Sequence, residues 1–325
     1  MRIKTKTSYN MDILCFLNVM TADRYYTDFH KDAFEKFYPL VSDGLKQKMA
    51  AMVKELGDSA LSPMLTLFIS SLPNFSERNL SEMLRSREEV EAALKQTPYA
   101  FAPEELAKYF SLYESAAIPL IAELEAAGFY DYWKESRLPA IEAKRKEVDA
   151  HMEQYDIEKL VNKYKNGRNI DNSDFTIYLC SFAHPYGIKL CGNNLITDSC
   201  YSNQIILQNV THEAFHPPYD FKLVKGAVQA LAEKAWVKEA FDNQNPNSSY
   251  RPIEGFIEEN IVEALGIHVM VQLEADIDPM EYFKTHDDGS HVISPYFYEY
   301  LRDNEVKPAQ PFEDYFIDFV TGLKN

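Results

Sequence analysis

Two histidines four residues apart bracket a glutamate in His212-Glu213-Ala214-Phe215-His216. On an α-helix, positions i and i+4 stand on one face about one turn apart. Both imidazoles can then reach a single ion, and this donor pair suits Zn²⁺ with bonds of about 2.0–2.1 Å. Glu213 adjoins the first histidine and would reach a water on the metal rather than the metal itself. A carboxylate so placed can take the proton of that water as it attacks a carbonyl. With 8 histidines in the chain, the pattern His-Glu-x-x-His would arise by chance only about 0.02 times, taking Glu at roughly one residue in ten.

A catalytic zinc ordinarily has three protein ligands and one open position. The segment Glu258-Glu259-Asn260-Ile261-Val262-Glu263-Ala264-Leu265 offers the third. Acids inside an otherwise apolar helix need partners, because burying a lone carboxylate is costly. Glu259 and Glu263 are again four apart, so one can ligate while the other hydrogen-bonds the free ring nitrogen of a zinc histidine. Glu259 is the expected ligand and Glu263 the expected supporting carboxylate. Glu258 and Glu263 stay open as alternative ligands.

A His-Glu-x-x-His motif followed by a Glu on a later helix resembles the gluzincin branch of zinc metallopeptidases. In that branch a carboxylate often stands four residues after the Glu ligand, as Glu263 does here. The resemblance spans roughly residues 170–275. More loosely, the chain is similar to a group of bacterial zincin-like proteins with a long helical N-terminal part. The resemblance implies a zinc-dependent peptidase acting on a peptide or protein. It also implies a zincin-like core with a small antiparallel-edged sheet, the motif helix and a second, Glu-bearing helix. A transition-state donor would come from the C-terminal part, where His291 and Tyr298 are the candidates among His286, His291, Tyr296 and Tyr298. An upstream strand edge would hold the substrate by backbone pairing, and Gly187 to Thr197 is the candidate. The third histidine of the metzincin branch is replaced by Pro217-Pro218-Tyr219-Asp220, which excludes that branch.

Two departures bear on the site. Pro217 and Pro218 follow His216 directly, and residues before proline avoid the α region, so the helix is expected to end at His216. Between His216 and Glu259 lie 42 residues, with a helix of their own expected over Val224 to Phe241 and a polar loop around 243–249.

These residues need a scaffold, and the patterning sketches one. Residues 8–165 read as almost wholly helical. They include a helix opening at Pro103-Glu104-Glu105, where a free N–H is not needed and negative charge is favoured. Another spans about Pro139 to Tyr155, with Glu142 and Lys146 as a surface pair. From Asp174 to Phe182 the residues are β-branched and aromatic and read as a strand, followed by a His184-Pro185-Tyr186-Gly187 turn and one or two more strands. Ser202 to His216 and Glu254 to Leu273 return to helix. The expected fold is therefore α+β and mostly helical, with a helical part over 1–168 and the zincin-like part over 169–325, packed as one unit.

Composition narrows the partners. The net charge is −17, which repels phosphate backbones and argues against nucleic acid. No run approaches the ~18 apolar residues of a membrane span. Met1-Arg2-Ile3-Lys4-Thr5-Lys6 is basic like the start of an export signal. Asn10, Asp12 and Asn18 interrupt the apolar stretch after it, so the segment reads instead as leading into the first helix of the domain. Both export with the signal removed and a cytoplasmic location fit. Of four cysteines, Cys180 and Cys191 flank a possible hairpin and could pair under oxidising conditions; otherwise all are buried thiols. Asp287-Asp288-Gly289-Ser290 reads as a turn, since the rest of a calcium loop is missing. Against the peptidase reading stand two others: a zincin-like binding module with little or no activity, and a helical binding protein without metal. The sequence does not specify substrate or oligomeric state.

Overall fold

The computed structural model describes residues 3–57, 60–97, 101–164, 174–244, 250, 252–307 and 310–323. The boundary expected at 168/169 and positions 245–249 of the polar loop lie outside them. Helices dominate, and one small mixed sheet completes an α+β architecture. No helix among the described residues is long and apolar enough to cross a membrane. The chain divides into two compact units.

One unit comprises Ile3–Ala150 and Asp174–Ser202. Its strands are β1 (Ile3–Lys6), β2 (Phe175–Cys180), β3 (Ile188–Leu190) and β4 (Asn194–Asp198), in the order β1-β2-β4-β3. The basic N-terminus, expected to lead straight into helix, is thus strand: Ile3 to Lys6 pair in parallel with Phe175 to Tyr178. Its four residues are too few for period-2 patterning to stand out, and the partner lies far along the chain. β2 and β4 are parallel, and β3 runs antiparallel at the edge, as expected for the sheet. Every residue of β2 is buried, which its continuous run of β-branched and aromatic side chains allows. The candidate pairing stretch Gly187 to Thr197 becomes β3 and most of β4. The sheet groups with the N-terminal helices, not with the motif helix as the sequence-based division had it.

Helix α1 (Tyr9–Val19) is buried along nearly its whole length, polar positions included. Asp12, read from sequence as an interruption, is an anchor. It accepts from Ser181 N (2.8 Å), Phe182 N (3.0 Å) and Trp133 Nε1 (2.6 Å), tying the end of β2 to the helices. Burial pushes its carboxyl up to about 7, against the pull of those donors. Asn18 serves α2 (Ser62–Ser70) in the same way, accepting from Leu61 N and Ser62 N and donating to Ser62 Oγ. Phe16 stacks on Phe129 at 4.5 Å, next to Phe182. All four cysteines are thiols, so Cys180 and Cys191 do not pair. Cys180 neighbours Cys15, while Cys191 Sγ faces Leu67 O. Glu142 pairs with Arg145 (2.8 Å), three residues on, in place of the expected Lys146.

The other unit holds His151–Ser173 and Asn203–Asn325, with Met1–Arg2. It contains α3 (Ile157–Tyr164), α4 (Asn203–Glu213), α5 (Phe221–Ala232), α6 (Ala235–Asp242), α7 (Ile253–Gln272), α8 (Pro279–Thr285), α9 (Ser294–Asp303) and α10 (Phe312–Gly322). The single helix expected over Val224 to Phe241 is two, broken at Glu233-Lys234. α7 is buried from Asn260 through Met270, as an all-round apolar helix must be. It packs against α4, α5 and α9. Asn260 fastens α9 to it. Its Oδ1 accepts from Ile293 N (2.8 Å) and Ser294 N (3.3 Å), and its backbone carbonyl accepts from Ser294 Oγ (2.8 Å).

A buried histidine in this unit has a consequence for acid stability. Gln272 Nε2 donates to His268 Nε2 (2.6 Å) and to Tyr164 Oη (3.0 Å), and the Tyr164 and Tyr298 rings pack edge-on against the imidazole. An accepting Nε2 requires the neutral ring. Burial, with Lys163 nearby, lowers its pKa to about 4. An unfolded histidine titrates near 6.5, so between those values the unfolded chain binds a proton that the folded chain refuses. The contribution is full above pH 6.5 and is lost as the pH falls through 4, about 3 kcal/mol in all. Urea titrations across pH 4–7 are expected to show this slope, and His268→Gln to flatten it. An unchanged slope in the variant would place the acid sensitivity elsewhere.

Candidate metal centre

α4 ends at Glu213 and not at His216. Its last turn tightens, with Phe215 N bonded to His212 O (3.0 Å) and His216 N to Glu213 O (3.4 Å). The two prolines shorten the regular helix as expected, yet the chain keeps turning far enough to hold His216 beside His212. Their Nε2 atoms are 3.1 Å apart.

Three residues converge. Glu259 brings Oε1 to 3.1 Å from His212 Nε2 and Oε2 to 3.5 Å from His216 Nε2. Bonds of about 2.05 Å at tetrahedral angles put ligand atoms about 3.3 Å apart, so these separations fit one ion of zinc size. The two Nδ1 atoms are each engaged by another carboxylate. Glu263 Oε2 is 2.6 Å from Nδ1 of His212, and Glu258 Oε1 is 3.2 Å from Nδ1 of His216. A carboxylate at Nδ1 fixes the proton there and leaves the Nε2 lone pair free to ligate. The three acids left open by the sequence thus take three places: Glu259 at the convergence, Glu263 behind His212 and Glu258 behind His216. Glu213 is buried.

The electrostatics favour positive charge at this point. Burial alone would strip the proton from His212, but Glu259 and Glu263 outweigh it and hold its pKa well above the ordinary value. Burial likewise opposes ionisation of Glu259 and Glu263, and the attraction of His212 reverses this, lowering both. A field that holds a proton on a buried imidazole also suits a dication.

The close contact of α4 and α7 depends on Gly266. A Cβ there would stand 3.2 Å from His212 Cα and 3.4 Å from its backbone nitrogen. Gly266→Val is therefore expected to push the helices apart, cost about 1–3 kcal/mol, and loosen the Glu263–His212 bond. Thermal melts with and without added zinc check this; an unshifted Tm would show that the helices can separate freely.

The two candidate transition-state donors have different surroundings. His291 lies within electrostatic reach of Glu263 and Glu259. Tyr298 packs its ring against His268 and Phe283, and its charged neighbours are Arg302 and Asp278. The tyrosines whose hydroxyls feel Glu259 or Glu263 are Tyr250 and Tyr282. Burial and those carboxylates raise the pKa of both. Gln208, one turn before His212, donates from Nε2 to Tyr282 Oη at 2.5 Å. Sequence reasoning missed Tyr250, Tyr282 and Gln208, because nothing in their spacing distinguishes them among 21 tyrosines or the surface glutamines.

Set against known proteins, the chain matches no family model, no curated protein and no solved structure.

Proposed function

We propose that this protein is a zinc-dependent hydrolase of peptide bonds, with His212, His216 and Glu259 holding the ion in a zincin-like arrangement. The observation that carries the reading is the convergence of two imidazole Nε2 atoms and one carboxylate at ligand–ligand separations of 3.1–3.5 Å. The motif glutamate Glu213, buried next to the first of those histidines, adds to it. Zinc, when bound, would supply a positive charge that polarises a carbonyl and acidifies water. Glu213 then takes the proton of the attacking water and passes it to the leaving amine. Glu263 and Glu258 keep the histidine rings oriented throughout. Tyr282, a neutral hydroxyl at neutral pH near Glu263, is the donor that can meet developing negative charge.

The test has two parts. Elemental analysis of the purified protein is expected to give about one zinc per chain or more, depending on retention during purification. A mixed peptide library is expected to be cleaved, and a chelator to stop the cleavage. Zinc bound without any cleavage would point to a zincin-like binding module. Less than about 0.1 zinc per chain after zinc is offered at neutral pH would remove the metal reading altogether.

A further inference from the structure

A second histidine cluster in the same unit shares no residue with the first. After α8 the chain passes through Asp287 (φ 45°), Asp288 (φ 54°) and Gly289 (φ 75°), three successive left-handed residues. Aspartate tolerates this conformation and glycine adopts it freely. A Cβ at 289 would also stand 3.0 Å from Lys284 O. The reversal brings His286 and His291 together with their rings nearly parallel, 5.5 Å between centroids. The Asp287 carboxylate serves both, with Oδ1 3.8 Å from His286 Nε2 and Oδ2 3.3 Å from His291 Nε2. One donor atom from each residue lies within 4.8 Å of the others.

The state of His291 points to a ligand. The residue is 1% exposed, and neither ring nitrogen completes a hydrogen bond among the described residues. Its Nε2 is at hydrogen-bonding distance from Asp287 Oδ2, but off the line that a shared proton needs. Two donors that share one ion stand at such a separation, close to each other without a shared proton. A buried imidazole nitrogen left without a partner is destabilising, and an ion would relieve that. Tyr250 Oη donates to Asp287 Oδ2 at 2.9 Å and fixes the carboxylate, the kind of support that metal ligands receive. His286, with 44% of its side chain exposed, leaves an entry path.

We propose that His286, Asp287 and His291 form a second site for a divalent cation, of the borderline, imidazole-preferring kind that includes Zn²⁺. The inference does not depend on the peptidase reading. It gives His291 a structural task, in keeping with a side chain too buried to meet substrate.

Zinc binding to metal-stripped protein, followed by isothermal titration and elemental analysis, separates the sites. Wild type is expected to bind two zinc ions per chain. His286→Ala and Asp287→Asn are each expected to bind one, as is the His212→Ala/His216→Ala double variant. His286 is exposed, so its replacement keeps the fold; circular dichroism verifies this for all variants. One ion in wild type, kept by His286→Ala and Asp287→Asn but lost in the double variant, overturns the second site and leaves the first standing. One ion kept by the double variant and lost in Asp287→Asn supports the second site and removes the first. No bound zinc in wild type overturns both.

Discussion

The Glu213→Gln protein is expected to keep its zinc and to lose peptide hydrolysis by about 10²–10⁴-fold, the range for removing a positioned proton-transfer group. Glutamine has nearly the same shape, so the packing around this buried position persists. It cannot accept the proton of the attacking water, and that is the step proposed for the carboxylate. The loss should appear in kcat, with KM little changed, because the missing interaction develops only in the transition state. Cleavage of a fluorogenic peptide together with zinc analysis on the same sample decides the matter. A fully active variant that still holds zinc would sink the mechanism; loss of both zinc and activity would mean that Glu213 supports the site structurally.

The second large effect distinguishes Glu259 from Glu263. Glu259→Ala removes a converging donor and leaves two imidazoles to hold the ion. Glu263→Gln leaves the three proposed ligands in place and removes only the charge behind His212 Nδ1, where the carboxylate now stands at 2.6 Å. Changes of that second kind cost about 10–100-fold in metal affinity. Glu259→Ala is expected to cost more, and to abolish hydrolysis at zinc concentrations that saturate wild type. Competition with a chromogenic zinc chelator measures both. If Glu263→Gln proves the more damaging, the two carboxylates have been assigned to each other's roles.

The motif pair was legible because its geometry is local: four residues of helix fix the relation of His212 to His216 whatever surrounds them. The acids on α7 were legible as a group, since three carboxylates in an apolar helix demand partners. Their division of labour was expected only as a preference for Glu259 as ligand with Glu263 behind it, and the place of Glu258 beside His216 was not read, because it depends on how α7 is rotated against α4, and that rotation is set by contacts such as Gly266 on His212. Tyr250 reaches the site from outside any helix or strand, and Tyr282 from the seven-residue α8, too short a helix for its spacing to single the residue out. The grouping of the sheet was misjudged for a related reason: β1 is four residues long and pairs with a strand about 170 residues later. The alternation in Ile3-Lys4-Thr5-Lys6 is there to be read, but so short a run also fits a basic leader.

Asn260 follows Glu259 directly and grips the start of α9 through both its side chain and its backbone carbonyl. The residues it grips, Ile293 and Ser294, come just after His291. The helix that carries Glu259 and the loop that carries His286 and His291 are therefore mechanically fastened at one point. If the proposed motif site holds an ion, opening of that loop would be felt as faster escape of that ion. An Asn260→Ala protein should accordingly exchange its metal more quickly even where its equilibrium affinity changes little, and exchange kinetics would register the coupling before any loss of fold.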